Sequence, residues 1–153
     1  MSPRYFRILA HSVGGAVAIA LMFAIATGVG EPLMMVPFAT SIVLVMGLPE
    51  AAPAQPRAIV GGHLISATVG VVLVAIFGGD WWVAALGVGL AIGLMQLADA
   101  FHPPAGISPI IVATNHAGLT FIAVPVLAGA LILLAYAWIF HRLLGDNWPV
   151  RWI

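Results

Sequence analysis

What most constrains this chain is a series of apolar runs, residues 9–27, 33–48, 58–77, 82–97 and 119–140, with every charged residue lying outside them. Each run comes near the roughly 17–25 residues that a helix needs to cross a bilayer. Only 7% of residues are charged and the mean hydropathy is +1.15, whereas soluble domains carry about a quarter charged residues. The expected fold is therefore all-α: a polytopic transmembrane helix bundle with about five full spans plus a short proline-broken or re-entrant half-span. The spans fall at about residues 8–28, 33–48, 58–78, 82–98, 104–115 (the short one) and 119–141, within one transmembrane domain covering 1–153. The opening "MSPRYFRIL" resembles a signal peptide, but its apolar run is long and more spans follow, so it is read as a retained first helix.

The chain has no cysteine, which excludes disulfides, thiol nucleophiles and cysteine-ligated metals. Its formal net charge is zero, which leaves no basic surface for nucleic acid. The expected partners are the lipid bilayer and a small inorganic solute, with a second copy of the chain as the one protein partner left open. No cofactor and no metal site is expected: the five histidines include no H-E-x-x-H or haem-attachment pattern, and His11, His116 and His141 sit near span ends without a partner at ligand spacing.

Charge placement sets an orientation. Arg4 and Arg7 precede the first span, Arg57 lies between the second and third, and Arg142 and Arg151 follow the last. Basic residues near span ends favour the cytoplasm. With the N-terminus cytoplasmic, Glu31 and Asp80 fall outside, and an extra short pass through "PPAGISPIIVATN" is needed to return Arg142 and Arg151 inside. That pass would rise only about 18 Å as a helix, so it reaches part-way or is shielded by its neighbours. Spans three and four are rich in small residues, including Gly89 and Gly93, for which packing within one protomer is favoured over a dimer face. Trp81, Trp82, Trp138, Trp148 and Trp152 lie near span ends, as interfacial anchors do.

Two stretches share a layout in which an apolar helix meets an acid (Glu50, Asp99), then prolines (Pro53 and Pro56; Pro103 and Pro104), then glycine and another apolar segment. Paired proline/glycine interruptions point to a transporter's binding site. These residues, "FATSIVLVMGLPEAAPAQPRAIVGGHLISATVGV" and "HPPAG", resemble the HPP family of integral membrane proteins, named for His-Pro-Pro, from about Pro37 to Leu134. The resemblance implies a small bundle of membrane helices in a bacterial inner membrane, related to chloroplast and cyanobacterial nitrite transporters.

The residues themselves suggest a path for a monovalent anion. Arg57 offers a permanent charge and a planar fork, or else serves as a topology determinant or an ion-pair partner of Glu50. His63, beside "GG", is a proton-linked gate or a neutral histidine bonded to a carbonyl across a helix interface. Pro103 and Pro104 suit the first turn of a restarted helix, which would leave amides from Ala105 and Gly106 onward free to hold an anion; the alternative is a rigid turn capped by His102. Asp99 is either a membrane-depth carboxylate paired with His102 or Arg57, suited to proton coupling together with Glu50, or a surface residue at a helix end. Ser41 and Ser108 are lesser lining residues. The leading function is a channel or transporter for a small inorganic solute such as nitrite. A non-transporting assembly subunit is the second reading, and an intramembrane enzyme using Asp99 and His102 as an acid/base pair the third.

Overall fold

The computed structural model describes residues 2–30 and 35–152. Among these, six helices form the bundle: α1 (Pro3–Val29), α2 (Met35–Gly47), α3 (Pro56–Phe77), α4 (Trp81–Leu97), α5 (Ser108–Asn115) and α6 (Ile122–Leu144). Short 3-10 turns precede α3 (Ala52–Ala54) and α5 (Pro103–Ile107). Three helices, α1, α3 and α6, are long and apolar enough to cross a membrane, with mean hydropathies of 2.1, 2.2 and 2.3. This is an integral membrane protein. Glu31 and the start of the second expected span lie outside the described residues.

Proline and glycine set the helix limits. Pro3 and Pro56 stand in the first turns of α1 and α3, where a missing amide proton leaves no bond unmade. Gly30 and Gly145 end α1 and α6 in the left-handed conformation, with φ of 74° and 70°, which glycine adopts without steric cost. The helix α4 ends differently. Asp99 holds the left-handed position at φ 49°, its amide bonds the Gln96 carbonyl at 3.1 Å, and the Ala100 amide reaches back to the Met95 carbonyl at 2.8 Å. This is a Schellman closure built on an aspartate. In α6, Pro125 cannot donate, and the surrounding turns from Ile122 to Ala128 widen into π-helix before α-helical winding resumes at Gly129.

The short pass runs alongside α3 from Gly62 to beyond its C-terminal end. Gly62 of α3 lies against His102, Gly70 against Pro109, and Gly79 beyond α3 against the Ala113 carbonyl and the His116 ring. The Pro103–Asn115 segment therefore runs parallel to α3, and α4, which precedes it in the chain, returns antiparallel to both. A 3-10 start rises faster per residue than an α-helix, so 13 residues cover roughly 22 Å. The segment is shielded by its neighbours: Ser108, Pro109, Ile111, Val112 and Ala113 are all buried, against α3 and α4.

Both termini gather at one end. Arg7 and His11 of α1 meet Asp146 beyond α6, and the Trp148 indole donates to the Ala54 carbonyl at 3.1 Å. Gln55 binds the tail to the α2–α3 connection: its Nε2 donates to the Pro49 and Ala51 carbonyls, while its Oε1 accepts from the Val150 amide at 2.9 Å. The segments bearing all five arginines thus share this end, as the extra pass requires.

Two sequence expectations change here. Trp148 is buried, not an interfacial anchor, whereas Trp81, Trp82, Trp138 and Trp152 are exposed. Gly89 and Gly93 face open space, so they serve no packing within the protomer; the close approaches use Gly62, Gly70 and Gly87 instead. A methyl group at Gly62 would lie 2.6 Å from His102 Cβ and 2.9 Å from the Ala100 carbonyl oxygen. Gly62→Ala is therefore expected to lower stability by about 1–3 kcal/mol, while Gly89→Ala leaves it unchanged or slightly raised, both read as unfolding midpoints in detergent.

Candidate functional site

One histidine from each proline/glycine motif comes to the same buried point. His63 lies on α3, where Gly61 and Gly62 on the preceding positions let the Ala100–His102 backbone come close. His102 precedes the Pro103–Ile107 turn, and its extended backbone, φ −130° and ψ 95°, stays out of the helical region that a following proline disfavours. Ser41 of α2 stands between them. Its Oγ is 3.0 Å from His63 Nε2 and 2.8 Å from His102 Nε2, and the three side chains are all fully buried. The imidazoles meet edge to face with centroids 4.9 Å apart, and Phe38 covers His63 at 4.5 Å.

The proton count gives this cluster a direction. The Pro53 carbonyl, 2.6 Å from His102 Nδ1, can only accept, so Nδ1 carries the proton. With one proton per ring, His102 Nε2 accepts the Ser41 hydroxyl, and the Ser41 oxygen accepts from His63 Nε2. The Pro37 carbonyl, 3.0 Å from the same hydroxyl, competes for that single proton. What remains is the lone pair of His63 Nδ1, which is buried and has no partner. Ser108 is also buried, and its Oγ likewise has no partner.

Other expected site residues lie nearer the surface. Arg57 is exposed, and its guanidinium donates to the Ala98 carbonyl at 2.9 Å, capping the end of α4. Glu50 is exposed in the turn before Ala52. Neither Glu50 nor Asp99 forms an ion pair with Arg57 among the described residues. Asp99 is exposed whereas His102 is buried, so the acid/base pair envisaged for an enzyme is not assembled. Arg57 and Asp99 instead line one surface depression of about 160 Å³, together with Pro53, Gln55, Phe101 and Arg151. Its Pro53 is the residue whose carbonyl holds His102.

The helix restart is closed rather than open. Pro103 and Pro104 have no amide proton, the Ala105 amide donates to the His102 carbonyl at 3.0 Å, and Ser66 donates to the Ala105 carbonyl at 2.7 Å. The Ala105 amide is thus spent within the turn and does not point into a gap, which corrects its expected role as a free anion donor. Pro103 and Gly106 border an apolar groove along α4 rather than the histidine cluster.

The model of the family described as "HPP, transmembrane region" matches residues 1–149. The chain belongs to this family. Among curated proteins, two from Dictyostelium discoideum, each named only as a transmembrane protein, are 40% and 38% identical over 124 residues. These matches cover 75% of this chain but 44% and 40% of the relatives, so the chain spans less than half their length. No solved structure matches it.

In this HPP chain, sequence reasoning ranked Ser41 low, although it is the hinge of the cluster. It passed over Gln55, whose only local signal is its place just before Pro56, and counted Ser66, one turn beyond His63, as a neutral hydrogen-bonding residue without giving it a place in the site. Ser41→Ala leaves two imidazole nitrogens without their partner and is expected to cost about 1–3 kcal/mol. Thr40→Ala, which removes an exposed hydroxyl bonded at 3.3 Å to the Pro37 carbonyl, stays near wild type in the same thermal unfolding measurement.

Proposed function

We propose that this HPP chain provides a membrane passage for a small inorganic solute, most simply a monovalent anion such as nitrite, and that it resides in a bacterial inner membrane with its N-terminus in the cytoplasm. The observation that carries the reading is the buried His102–Ser41–His63 line, which begins beneath the depression bordered by Arg57 and Arg151 and ends in an unpartnered acceptor. Polar side chains held at membrane depth are costly, and function is the default reason for retaining them. The two guanidinium groups attract an anion at the surface; His63 Nδ1 supplies a lone pair that can bond water or the protonated form of a weak-acid anion. Gathering all five arginines at one end agrees with a cytoplasmic placement of that end. The comparisons support a membrane protein of this family, and the solute is this reading's own addition.

A structural or assembly role is the second reading, and a specific observation favours it. Both ring nitrogens of His102 are engaged by protein atoms, and the Arg57 guanidinium is bonded to Ala98.

The deciding experiment is uptake into proteoliposomes holding the purified protein, comparing nitrite with nitrate, formate, chloride and urea at two pH values. Nitrite flux above empty liposomes is expected, and larger at acid pH. Arg57→Gln, which keeps a donor for the Ala98 carbonyl but removes the charge, is expected to reduce that flux several-fold with an unchanged unfolding midpoint. Absence of flux for every solute overturns the reading in favour of assembly.

A further inference from the structure

At the arginine end, away from the buried His63–His102 pair, a second set of side chains converges from three parts of the chain. His11 on α1 places Nε2 2.8 Å from Asp146 Oδ2, and His141 on the last turn of α6 places Nδ1 3.0 Å from the same oxygen. All three ligand atoms lie within 4.8 Å of one another. We propose that His11, His141 and Asp146 form a binding site for a divalent transition-metal ion of the zinc type.

The chemistry of the donor set supports this. Two imidazoles and one carboxylate are the borderline nitrogen and oxygen donors that such ions prefer. A tetrahedral ion with bonds of about 2.0–2.2 Å needs its ligands a little over 3 Å apart, so modest side-chain rotation opens the pocket around the ion. The carboxylate is already oriented for single-oxygen coordination. Arg7 Nη1 lies 2.9 Å from Oδ1, an ion pair whose angles do not make a hydrogen bond, and this leaves Oδ2 to face both rings. Arg7 is 60% exposed on its side chain, so water screens its repulsion of a bound cation.

The surroundings of the three side chains are polar on one side only. Burial pushes the Asp146 carboxyl up, but hydrogen bonds from His141 and His11 and the positive charge beside it outweigh that effect and hold it below the ordinary aspartate value. In the hydrogen-bonded arrangement His141 carries its proton on Nδ1, which leaves Nε2 a buried acceptor without a partner. Coordination through His11 Nε2 and His141 Nδ1 requires each imidazole to carry its proton on the other ring nitrogen, Nδ1 in His11 and Nε2 in His141. Bound metal would join α1, α6 and the tail, and through Trp148 it would fasten the tail to the Ala52–Ala54 turn beside the buried histidines. The inference stands independently of the transport reading.

The test uses the full chain in detergent, stripped with EDTA and dialysed against Zn²⁺ or Co²⁺ alone, with metal content, calorimetric affinity and thermal unfolding as readouts. One Zn²⁺ per chain is expected, with a raised unfolding midpoint and visible Co²⁺ bands characteristic of low coordination number. His11→Gln retains an amide donor for Asp146, and hence the fold, and is expected to weaken Zn²⁺ binding at least tenfold. His116→Gln, at the opposite end, leaves binding unchanged. Either no stoichiometric metal or equal affinity in His11→Gln would overturn the site and leave an ion-pair clamp only.

Discussion

The bundle depends on how its interrupted backbone is satisfied where lipid cannot do it. Hydrocarbon provides no hydrogen bonds, so each exposed polar group at depth costs several kcal/mol. Pro103 and Pro104 interrupt the chain after α4, and carbonyls near both helix breaks find side-chain donors. Arg57 answers Ala98, Ser66 answers Ala105, and His102 answers Pro53. The histidine of the His-Pro-Pro motif therefore closes the α2–α3 connection while its other nitrogen joins Ser41 on α2. A single imidazole ties together two helix breaks and one intact helix.

Packing then follows from small residues. Between membrane helices there is no hydrophobic driving force, because lipid tails are as apolar as leucine, and close contact has to supply the attraction. Gly62, Gly70 and Gly87 let the Ala100–Pro109 segment lie directly on α3 and α4. That closeness hides a segment too short to face lipid alone, and the 3-10 start lengthens its reach along α3 from Gly62 to Gly79. Many other apolar side chains, such as Phe23, Leu97 and Leu143, are exposed, as expected for surfaces that meet acyl chains.

The arginine end concentrates the remaining polar chemistry. Asp146 draws in Arg7, His11 and His141, Trp148 and Gln55 fasten the tail over the Ala52–Ala54 turn, and Arg151 arrives beside Arg57 at the depression. The tail is thus part of the rim above the histidine cluster. Two guanidinium groups and the exposed carboxylate of Asp99 thus border the depression over the Pro53 carbonyl that holds His102.

Much of the architecture was readable from local rules. Apolar runs free of charge mark helices, of which three are long and apolar enough to cross a membrane, and prolines at first turns and glycines at C-termini mark helix limits; each of these depends only on neighbouring residues and the bilayer. The sequence also singled out His63 and His102 as the chemically unusual positions. What it could not show was pairing across the bundle. Ser41 is 22 residues from His63 and 61 from His102, and His11 is 135 from Asp146, so no spacing pattern links them. The capping role of Arg57, the exposure of Asp99 in a left-handed turn and the burial of Trp148 were likewise decided by tertiary structure, because each depends on which carbonyl or helix end lies opposite, and that is settled only when the helices pack.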